Sequence, residues 1–164
     1  MVRKGICEMI VCYPPKMPYI NVWDHPTVFL AGSIEMNKAV DWQKEFAEYF
    51  TDIQTVVLFN PRRPDWDNTI TQSKDDPRFK EQVDWELQML ESCDVIAMYL
   101  QPDTISPISL LELGLFAGKD MVVCCPEGFH RKGNVDIVCD RYAIQMVDTI
   151  EQLAYETKKI LRIE

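Results

Sequence analysis

Residues 94–118 read DVIAMYLQPDTISPISLLELGLFAG: an apolar run, a polar turn and a second apolar run with different spacing. The run 94–100 is short and almost wholly apolar, which predicts a buried strand. Residues 106–118 predict a helix, because a serine followed by a proline is typical of a helix start. A buried strand that leads directly into a helix is the repeating unit of α/β proteins.

The same unit recurs on both sides of this stretch. Further buried strands are predicted at 27–31, 55–59, 121–125 and 143–147, and further helices from Asn37 to about 50, at 79–92 and from Asp148 to about 161. Nearly all-apolar strands that alternate with helices predict a parallel sheet with helices on both faces. We therefore expect an α/β domain over residues 27–164, built on a doubly wound, five-stranded parallel sheet. The β-prone run 6–13, within an N-terminal extension of residues 1–26, predicts an extra edge strand.

Composition excludes some classes of partner. The chain has 164 residues, 47% of them hydrophobic and 26% charged, and its net charge is −9. A nucleic-acid polymer is not an expected partner, because such binding relies on Lys and Arg neutralising phosphates. A small neutral ligand remains open.

The cysteines and apolar runs bear on location and on metal binding. Six cysteines form no CxxC pair, and there are only two histidines, so no metal-ligand spacing is recognisable. We expect buried, reduced thiols, no metal and no cofactor. No apolar run approaches the length that crosses a bilayer, and no secretory signal is recognised. The expected location is the cytoplasm.

Small and polar residues follow the predicted strands. They are Gly32-Ser33 and the segments 60–66, 101–109 and 126–134. Ligands of open parallel sheets bind beyond the carboxyl ends of the strands, so these segments are the candidate site. The polar, turn-rich segment that follows residue 61 is long for a compact domain, which indicates a functional or disordered loop.

Two glutamates near these ends are candidate catalytic groups. Glu112 is either part of a Ser109–Glu112 capping box or a carboxylate held in the apolar frame LLELG. Glu86 lies on a solvated helix face or over the same edge of the sheet. Two carboxylates around one pocket suit glycosidic cleavage, in which one attacks the anomeric carbon and the other handles the proton of the leaving group. With a reference pKa of about 4.3, Glu112 is expected to be ionised at neutral pH.

Five motifs in order resemble the nucleoside 2-deoxyribosyltransferase family over about residues 27–142. They are FLAGSI (29–34), FNPRRPDW (59–66), DWELQMLESCDVI (84–96), SPISLLELG (106–114) and GNV (133–135). The resemblance implies a flavodoxin-like fold and an enzyme of nucleoside salvage that transfers 2-deoxyribose between free bases. It also implies a homo-oligomer with shared active sites.

The resemblance assigns roles to residues of this chain. Glu112 would attack C1′ of a 2′-deoxynucleoside to form a covalent glutamyl intermediate, and Glu86 would relay a proton to the base. Asp65 and Trp66 would face the base. Asn134 would reach into a neighbouring subunit and hold the 5′-hydroxyl.

Other residues of the same motifs are expected to contact substrate. Gly32 and Ser33 belong to the first motif, and Ser106 begins the helix that carries Glu112. Arg62 and Arg63 either face the base or brace the acidic loop, and the sequence favours neither alternative.

Four positions depart from the family pattern. Phe29 stands where the family often has tyrosine, and Glu86 stands where it usually has aspartate. The transferases carry an aspartate at the position of Ser106, whereas a serine there resembles the related deoxynucleoside 5′-monophosphate N-glycosidases. Those relatives, however, place an arginine where this chain has Glu35, and a carboxylate repels a phosphate.

These departures favour a nucleoside over a nucleotide as substrate. Two alternatives stay open beside the transferase. One is an N-hydrolase of deoxynucleosides or of their 5′-monophosphates, and the other is a non-catalytic nucleoside or nucleotide sensor, because a fold alone does not imply activity.

Overall fold

Strands and helices alternate in the computed structural model, which describes residues 9–18, 21–35, 39–53 and 56–163. The strands in these ranges are β1 (Ile10–Cys12), β2 (Thr27–Gly32), β3 (Val57–Phe59), β4 (Val95–Tyr99), β5 (Met121–Cys124) and β6 (Gln145–Val147). The α-helices are α1 (Trp42–Glu48), α2 (Pro77–Ser92), α3 (Pro107–Phe116), α4 (Lys132–Tyr142) and α5 (Ile150–Leu161), and a short 3-10 helix covers Val22–Asp24.

All six strands belong to one parallel sheet with the order β1-β3-β2-β4-β5-β6. The order from β3 to β6 is that of flavodoxin-like sheets. β1 adds an edge strand next to β3, with Ile10 opposite Val57. The prediction of a doubly wound, five-stranded parallel sheet with an extra N-terminal strand is therefore confirmed.

Alternate side chains of the central strands pack into two separate cores, one on each face of the sheet. Val28 and Leu30 of β2 pack with Trp42 and Phe46 of α1 and with residues of α5. Phe29 and Ala31 face the opposite side, where the core includes residues of α2, α3 and α4. Because both faces are covered, the strands are apolar throughout, which is why they appear in the sequence as continuous apolar runs.

The chain reverses its direction of sheet growth at β2. From β2 it first adds β3 on one side and then crosses to place β4 on the other. A crevice forms beyond the carboxyl ends of the two strands at such a switch point. The candidate site therefore lies where β2 leads towards α1 and where β4 leads into α3.

Several predicted helix boundaries were wrong. Helix α1 begins at Trp42 with its N-cap at Asp41, whose side chain accepts from the backbone of Lys44, whereas the predicted cap, Asn37, lies outside the described residues. The cap of α5 is Thr149 and not Asp148, because the threonine hydroxyl accepts from Gln152. Both errors concern which of several nearby polar residues reaches a free N–H group.

Helix α4 was not predicted at all. Its sequence, KGNVDIVCDRY, has a short apolar stripe in which Val135 and Cys139 are the buried residues. The chain then turns at Ala143, which adopts a left-handed conformation, so β6 begins two residues later than the predicted strand. A stripe this short, with polar residues on both sides, is a weak helical signal.

The buried thiols are as predicted within the described ranges. Cys12, Cys93, Cys124, Cys125 and Cys139 are free and buried, and Cys7 lies outside the described residues. Burial raises the pKa of Cys93 to about 11 and that of Cys124 to about 12. No helix in the described part of the chain combines the length and the apolar character that a bilayer span requires.

Candidate active site

Gly32 ends β2 in a conformation that only glycine adopts readily. Its φ is +135°, and a Cβ atom there would lie 2.1 Å from the carbonyl oxygen of Tyr99. The backbone N–H of the next residue, Ser33, donates to that same carbonyl at 2.9 Å. The glycine of the FLAGSI motif therefore allows β2 to approach β4 closely.

Three hydroxyl groups meet beneath the start of α3. The Ser33 Oγ atom lies 2.9 Å from Thr104 Oγ1 and 2.7 Å from Ser106 Oγ, and the last two atoms are 2.9 Å apart. All three residues are buried. This hydroxyl cluster of Ser33, Thr104 and Ser106 ties the end of β2 to the turn between β4 and α3. Thr104 was not among the predicted residues.

Ser106 stands at the N-cap position of α3 but does not cap it. Its backbone is left-handed, with φ +43° and ψ +55°, and its hydroxyl makes no cap hydrogen bond. Instead, Oε1 of Glu35 accepts from the backbone N–H groups of Ile105 at 2.6 Å and of Ser106 at 2.9 Å. A carboxylate from the β2 side thus occupies the N-terminal end of α3, where negative charge is favourable.

The capping-box alternative for Glu112 is wrong. Helix α3 begins at Pro107, so Ser109 is already its third residue and is buried. Proline at the first helical position loses no hydrogen bond, which explains why the helix starts there and not at Ser109. Glu112 therefore lies in the middle of the helix.

Glu112 and Glu86 line one cavity of about 320 Å³ beyond the carboxyl ends of β2 and β4. Its size is at the lower end of the range for small-molecule sites, roughly 300–1,000 Å³. Five other predicted site residues also line this cavity: Gly32, Arg62, Arg63, Trp66 and Ser106.

Both carboxyl groups have raised pKa values. Burial raises the pKa of Glu112 to about 8, and the nearby negative charge of Glu86 adds to the effect. Burial raises the pKa of Glu86 to about 7, against a lowering by the hydrogen bond that Gln82 Nε2 donates to Glu86 Oε1 at 2.8 Å. The reference pKa of about 4.3 therefore does not describe Glu112, because that value applies to a solvated group.

The two arginines have separate partners. The guanidinium of Arg62 donates to the carbonyl oxygens of Val40 at 2.7 Å and Ala39 at 2.9 Å, so it holds the segment before α1 against the cavity wall. Arg63 pairs with Asp65, with 3.1 Å between Nε and Oδ1. The hydrogen bond from Arg63 lowers the pKa of Asp65, whose side chain is mostly exposed.

Three predicted residues do not line the cavity in this chain. Ser33 lies below the floor in the hydroxyl cluster, and Asp65 lies outside with its carboxylate on Arg63. Asn134 is exposed on α4, next to a separate groove between α3 and α4. Conversely, sequence reasoning did not assign a site role to Gln82 or Ser109, both of which line the cavity. Gln82 lies four residues before Glu86, the helical spacing at which side chains meet.

Comparisons with known proteins agree with this fold and show the family. A model of the family described as nucleoside 2-deoxyribosyltransferase like matches residues 25–129, a region that contains Glu86 and Glu112 and ends before Asn134. None of the functionally curated proteins matches the sequence.

Among solved structures, a conserved protein from Enterococcus faecalis V583 is similar in fold. Its TM-score is 0.57 at 13% sequence identity, and the alignment covers 82% of this chain and 98% of that one. At this identity the similarity supports the fold alone. The family model, by contrast, spans well over half of the sequence. The chain belongs to the nucleoside 2-deoxyribosyltransferase-like family.

Proposed function

We propose that this protein transfers 2-deoxyribose between nucleobases by cleaving the N-glycosidic bond of 2′-deoxynucleosides. The observation that carries the proposal is the pair of carboxyl groups, Glu112 and Glu86, that line one cavity with raised pKa values. Titratable groups with strongly perturbed pKa values in a cleft are typical of active sites. Family membership makes a nucleoside the first substrate to consider.

The chemistry proceeds in two displacement steps. A carboxylate oxygen of Glu112 bonds to C1′, the bond from C1′ to the base nitrogen breaks, and the electron pair of that bond stays on the base. The proton of Glu86 moves to the departing base. In the second step a nitrogen of another base bonds to C1′, the glutamyl ester breaks, and the proton of the incoming base returns to Glu86. Retaining glycosidases divide the work in the same way.

The productive form of the pair carries a single proton. Glu112 must be ionised to attack, and Glu86 must be protonated to serve the leaving base. Two carboxyl groups that raise each other's proton affinity titrate as a unit, so a one-proton state exists between their two ionisations. The raised pKa values of about 7 and 8 put the one-proton state near neutral pH. Because the pKa of Glu112 is the higher of the two, the productive arrangement, with the proton on Glu86, is the minor form of that state.

The base is proposed to lie against the segment after β3. Trp66 provides an aromatic surface on the cavity wall, and Gln82 and Glu86 supply polar atoms beside it. Arg62 is already bonded to two backbone carbonyls, so we assign it to bracing the wall. The carboxylate of Asp65 is held by Arg63, and a base contact would require it to leave that ion pair.

The active form is proposed to be a homo-oligomer that pairs through α3 and α4. Four large apolar side chains on these helices are 58–70% exposed: Ile108, Leu111, Leu115 and Ile137. A cluster of this kind on a soluble protein marks an interaction surface. Asn134 lies on α4 next to this surface and away from the cavity of its own chain, so it would contribute to a site only in a neighbouring copy.

Base exchange tests the proposal directly. The protein is mixed with one 2′-deoxynucleoside and a second free base, and the products are separated by chromatography. The expected result is the swapped nucleoside, formed by the wild type and lost in Glu112→Gln. Glu91→Gln, a matched change at an exposed glutamate at the end of α2, should retain exchange.

Each alternative activity has its own outcome in this assay. Free deoxyribose without exchange would show that water is the acceptor and would make the protein a hydrolase. Binding of nucleoside without any turnover would overturn the enzyme and favour a sensor. Full exchange in a folded Glu112→Gln variant would remove Glu112 from the chemistry.

A further inference from the structure

The segment 61–76, between β3 and α2, forms one wall of the cavity. It consists of turns and irregular structure, and its lining residues include Trp66 and Gln72. A loop of this length keeps a fixed shape only if contacts offset the conformational entropy that it loses. The contacts that hold this wall therefore determine how well the cavity stays closed.

One arginine of α2 holds the second part of this segment. The guanidinium of Arg78 makes five hydrogen bonds, which reach Asp67, Thr69 and Asp76. The shortest two are both 3.0 Å long, one to Oδ2 of Asp67 and the other to Oδ2 of Asp76. The same oxygen of Asp76 also accepts from the backbone N–H of Thr71 at 2.9 Å. We refer to Arg78, Asp67, Thr69 and Asp76 as the Arg78 cluster.

Both lining residues are next in sequence to a residue that the Arg78 cluster holds. Trp66 directly precedes Asp67, and Gln72 directly follows Thr71. The hydrogen bonds of the cluster are all made within the protein. The positions of the two lining residues therefore do not depend on a bound base.

The same side of α2 carries the cluster and the proposed general acid. Arg78, Gln82 and Glu86 follow one another at intervals of four residues, the spacing at which side chains are neighbours on a helix. Nε2 of Gln82 donates to the carbonyl oxygen of Pro61 at 3.4 Å, so the start of the segment also contacts this helix. The wall is thus attached at both of its ends to the helix that carries Glu86.

The geometry of the arginine matters more to this cluster than its charge. The side chains of Arg78 and Asp67 are both 48% exposed, and an ion pair so open to water contributes little by itself. A planar guanidinium, however, serves several acceptors in fixed directions, which the single ammonium group of a lysine does not. Replacing the arginine by lysine should therefore loosen the segment while leaving the rest of the fold intact.

The wall matters most after the first base has left the proposed glutamyl intermediate. Water can then take the place of the second base. The oxygen of the water bonds to C1′, the ester bond to Glu112 breaks, and the proton that the water loses goes to Glu86, which has given its own proton to the first base. Which acceptor receives the sugar depends on how well the emptied cavity excludes water.

We propose that Arg78 is a positioning residue that keeps the segment 61–76 in place while the cavity holds no base, and thereby favours transfer of the sugar to a second base over transfer to water. The support for this role is that the Arg78 cluster fixes the neighbours of Trp66 and Gln72 without a ligand. The inference rests on the proposed function, which supplies the glutamyl intermediate.

The division of the sugar between the two acceptors tests this role. At a fixed concentration of the second base, the ratio of free deoxyribose to swapped nucleoside should rise about 3- to 10-fold in Arg78→Lys, the effect of weakening the closed arrangement by one hydrogen bond. Arg162→Lys, the same change at an exposed arginine at the end of α5, should leave the ratio unchanged. A mere loss of stability would lower both products together and would not change their ratio.

The variant Asp67→Asn weakens the same cluster from the other side. Its amide oxygen still accepts from Arg78 but carries no charge, so the ratio should rise by a smaller factor than in Arg78→Lys. Unchanged ratios in both variants, with base exchange still lost in Glu112→Gln, would overturn the role of Arg78 and leave the proposed function standing.

Amide hydrogen exchange separates the two proposals without relying on turnover. Mass spectrometry should show the amides of residues 67–76 exchanging at least about threefold faster in Arg78→Lys than in the wild type, with those of α3 unchanged. Equal exchange rates in the segment would overturn the role of Arg78. A wild type that transfers no sugar to a second base would instead overturn the proposed function.

Discussion

At the scale of single residues, the proposed chemistry depends on how many protons Glu112 and Glu86 carry. Neither group has its solution pKa, because the cavity wall removes water from both carboxyl groups. In the proposed reaction Glu112 must be ionised while Glu86 is protonated. The pH range in which both conditions are met is narrow. This overlap makes the pH dependence of the reaction a sensitive report on the pair.

We predict a bell-shaped dependence of kcat/KM on pH with its maximum between about 7 and 8. Below this range Glu112 is protonated and cannot attack, and above it Glu86 has no proton to give. In Glu86→Gln the rate should fall by roughly 10²–10⁴, the usual contribution of a general acid. The fall in rate at high pH should also disappear, because this variant has no proton at position 86 to lose. A wild-type rate that climbs steadily to pH 10 would contradict the role of Glu86.

We also predict that Glu112 makes stability depend on pH. The folded-state pKa of about 8 lies above the unfolded value of about 4.5, so the folded protein binds more protons between these limits. The contribution of Glu112 to stability is therefore full below pH 4.5 and is lost as pH rises through about 8.

The neutral variant Glu112→Gln removes this dependence. The Tm of the variant minus that of the wild type should be more positive at pH 9 than at pH 5. The change should be about 2–4 °C for each kcal/mol of stability that Glu112 costs the wild type over this pH range. Differential scanning calorimetry measures each Tm. In the control variant Glu91→Gln, the Tm difference from the wild type should be the same at both pH values. An offset of Glu112→Gln that is the same at both pH values would show that Glu112 is solvated in the folded protein.

At the scale of elements, the turn after β2 sets the distance between the two halves of the site. Glu35, Ser33 and the N–H donors of α3 can meet only if β2 and β4 approach each other at Gly32. The indole of Trp42, the first residue of α1, also donates to the carbonyl of Ser33 at 3.2 Å. A small change in this turn is therefore expected to shift α1 and the start of α3.

We predict that Gly32→Ala severely destabilises the protein. The added Cβ would meet the backbone of Tyr99 at 2.1 Å, and backbone atoms cannot move aside as the end of a flexible side chain does. The left-handed region also disfavours alanine. The loss should exceed about 3 kcal/mol in urea unfolding, in the range of strained backbone substitutions.

Gly133→Ala is the matched control for this change. Nothing lies within 4 Å of a Cβ at Gly133, which is in the first turn of α4. This substitution should leave the stability unchanged or increase it by up to about 1 kcal/mol, since alanine favours a helix. Equal stability of the two variants would refute the close approach of β2 and β4.

At the scale of the whole molecule, the proposed assembly through the apolar surface of α3 and α4 would connect oligomerisation to activity. The same helix, α3, carries Glu112 towards the cavity and Leu111 and Leu115 towards solvent, whereas Ile108 is exposed and also lines the cavity. Pairing of two copies across this surface would bury these side chains and bring Asn134 of one copy towards the cavity of the other.

We predict that two inactive variants, Glu112→Gln and Asn134→Ala, restore activity when mixed. In a symmetric dimer with shared sites, half of the molecules in an equal mixture are mixed dimers, and each of those has one intact site. After the subunits have exchanged, the mixture should therefore show about a quarter of the base-exchange activity of the wild type. No recovery, despite mixed dimers seen by mass spectrometry, would show that each site is complete within one chain.

We further predict that Leu111→Asp dissociates the oligomer. A charge at the centre of an apolar contact has no partner and loses its hydration on association. Sedimentation velocity should show a monomer for this variant and a larger species for the wild type. A wild-type monomer at micromolar concentration would contradict the proposed interface.

Much of the fold could be predicted from the sequence. The apolar runs around residues 27–31, 94–100 and 121–125 became β2, β4 and β5, because a strand buried on both faces needs apolar side chains at every position. The motif order also predicted the family and placed Glu86 and Glu112 at one edge of the sheet. These features are local or repeat along the chain, so one sequence suffices to find them.

The tertiary structure alone decided the contacts and the electrostatic environment of the candidate site. Glu35 reaches the start of α3 across a separation of 70 residues, and no local pattern predicts such a contact. The hydroxyl cluster and the raised pKa of Glu112 likewise depend on which distant groups supply a partner or exclude water. Side-chain type is written in the sequence, whereas solvation and charge environment arise only when remote segments come together.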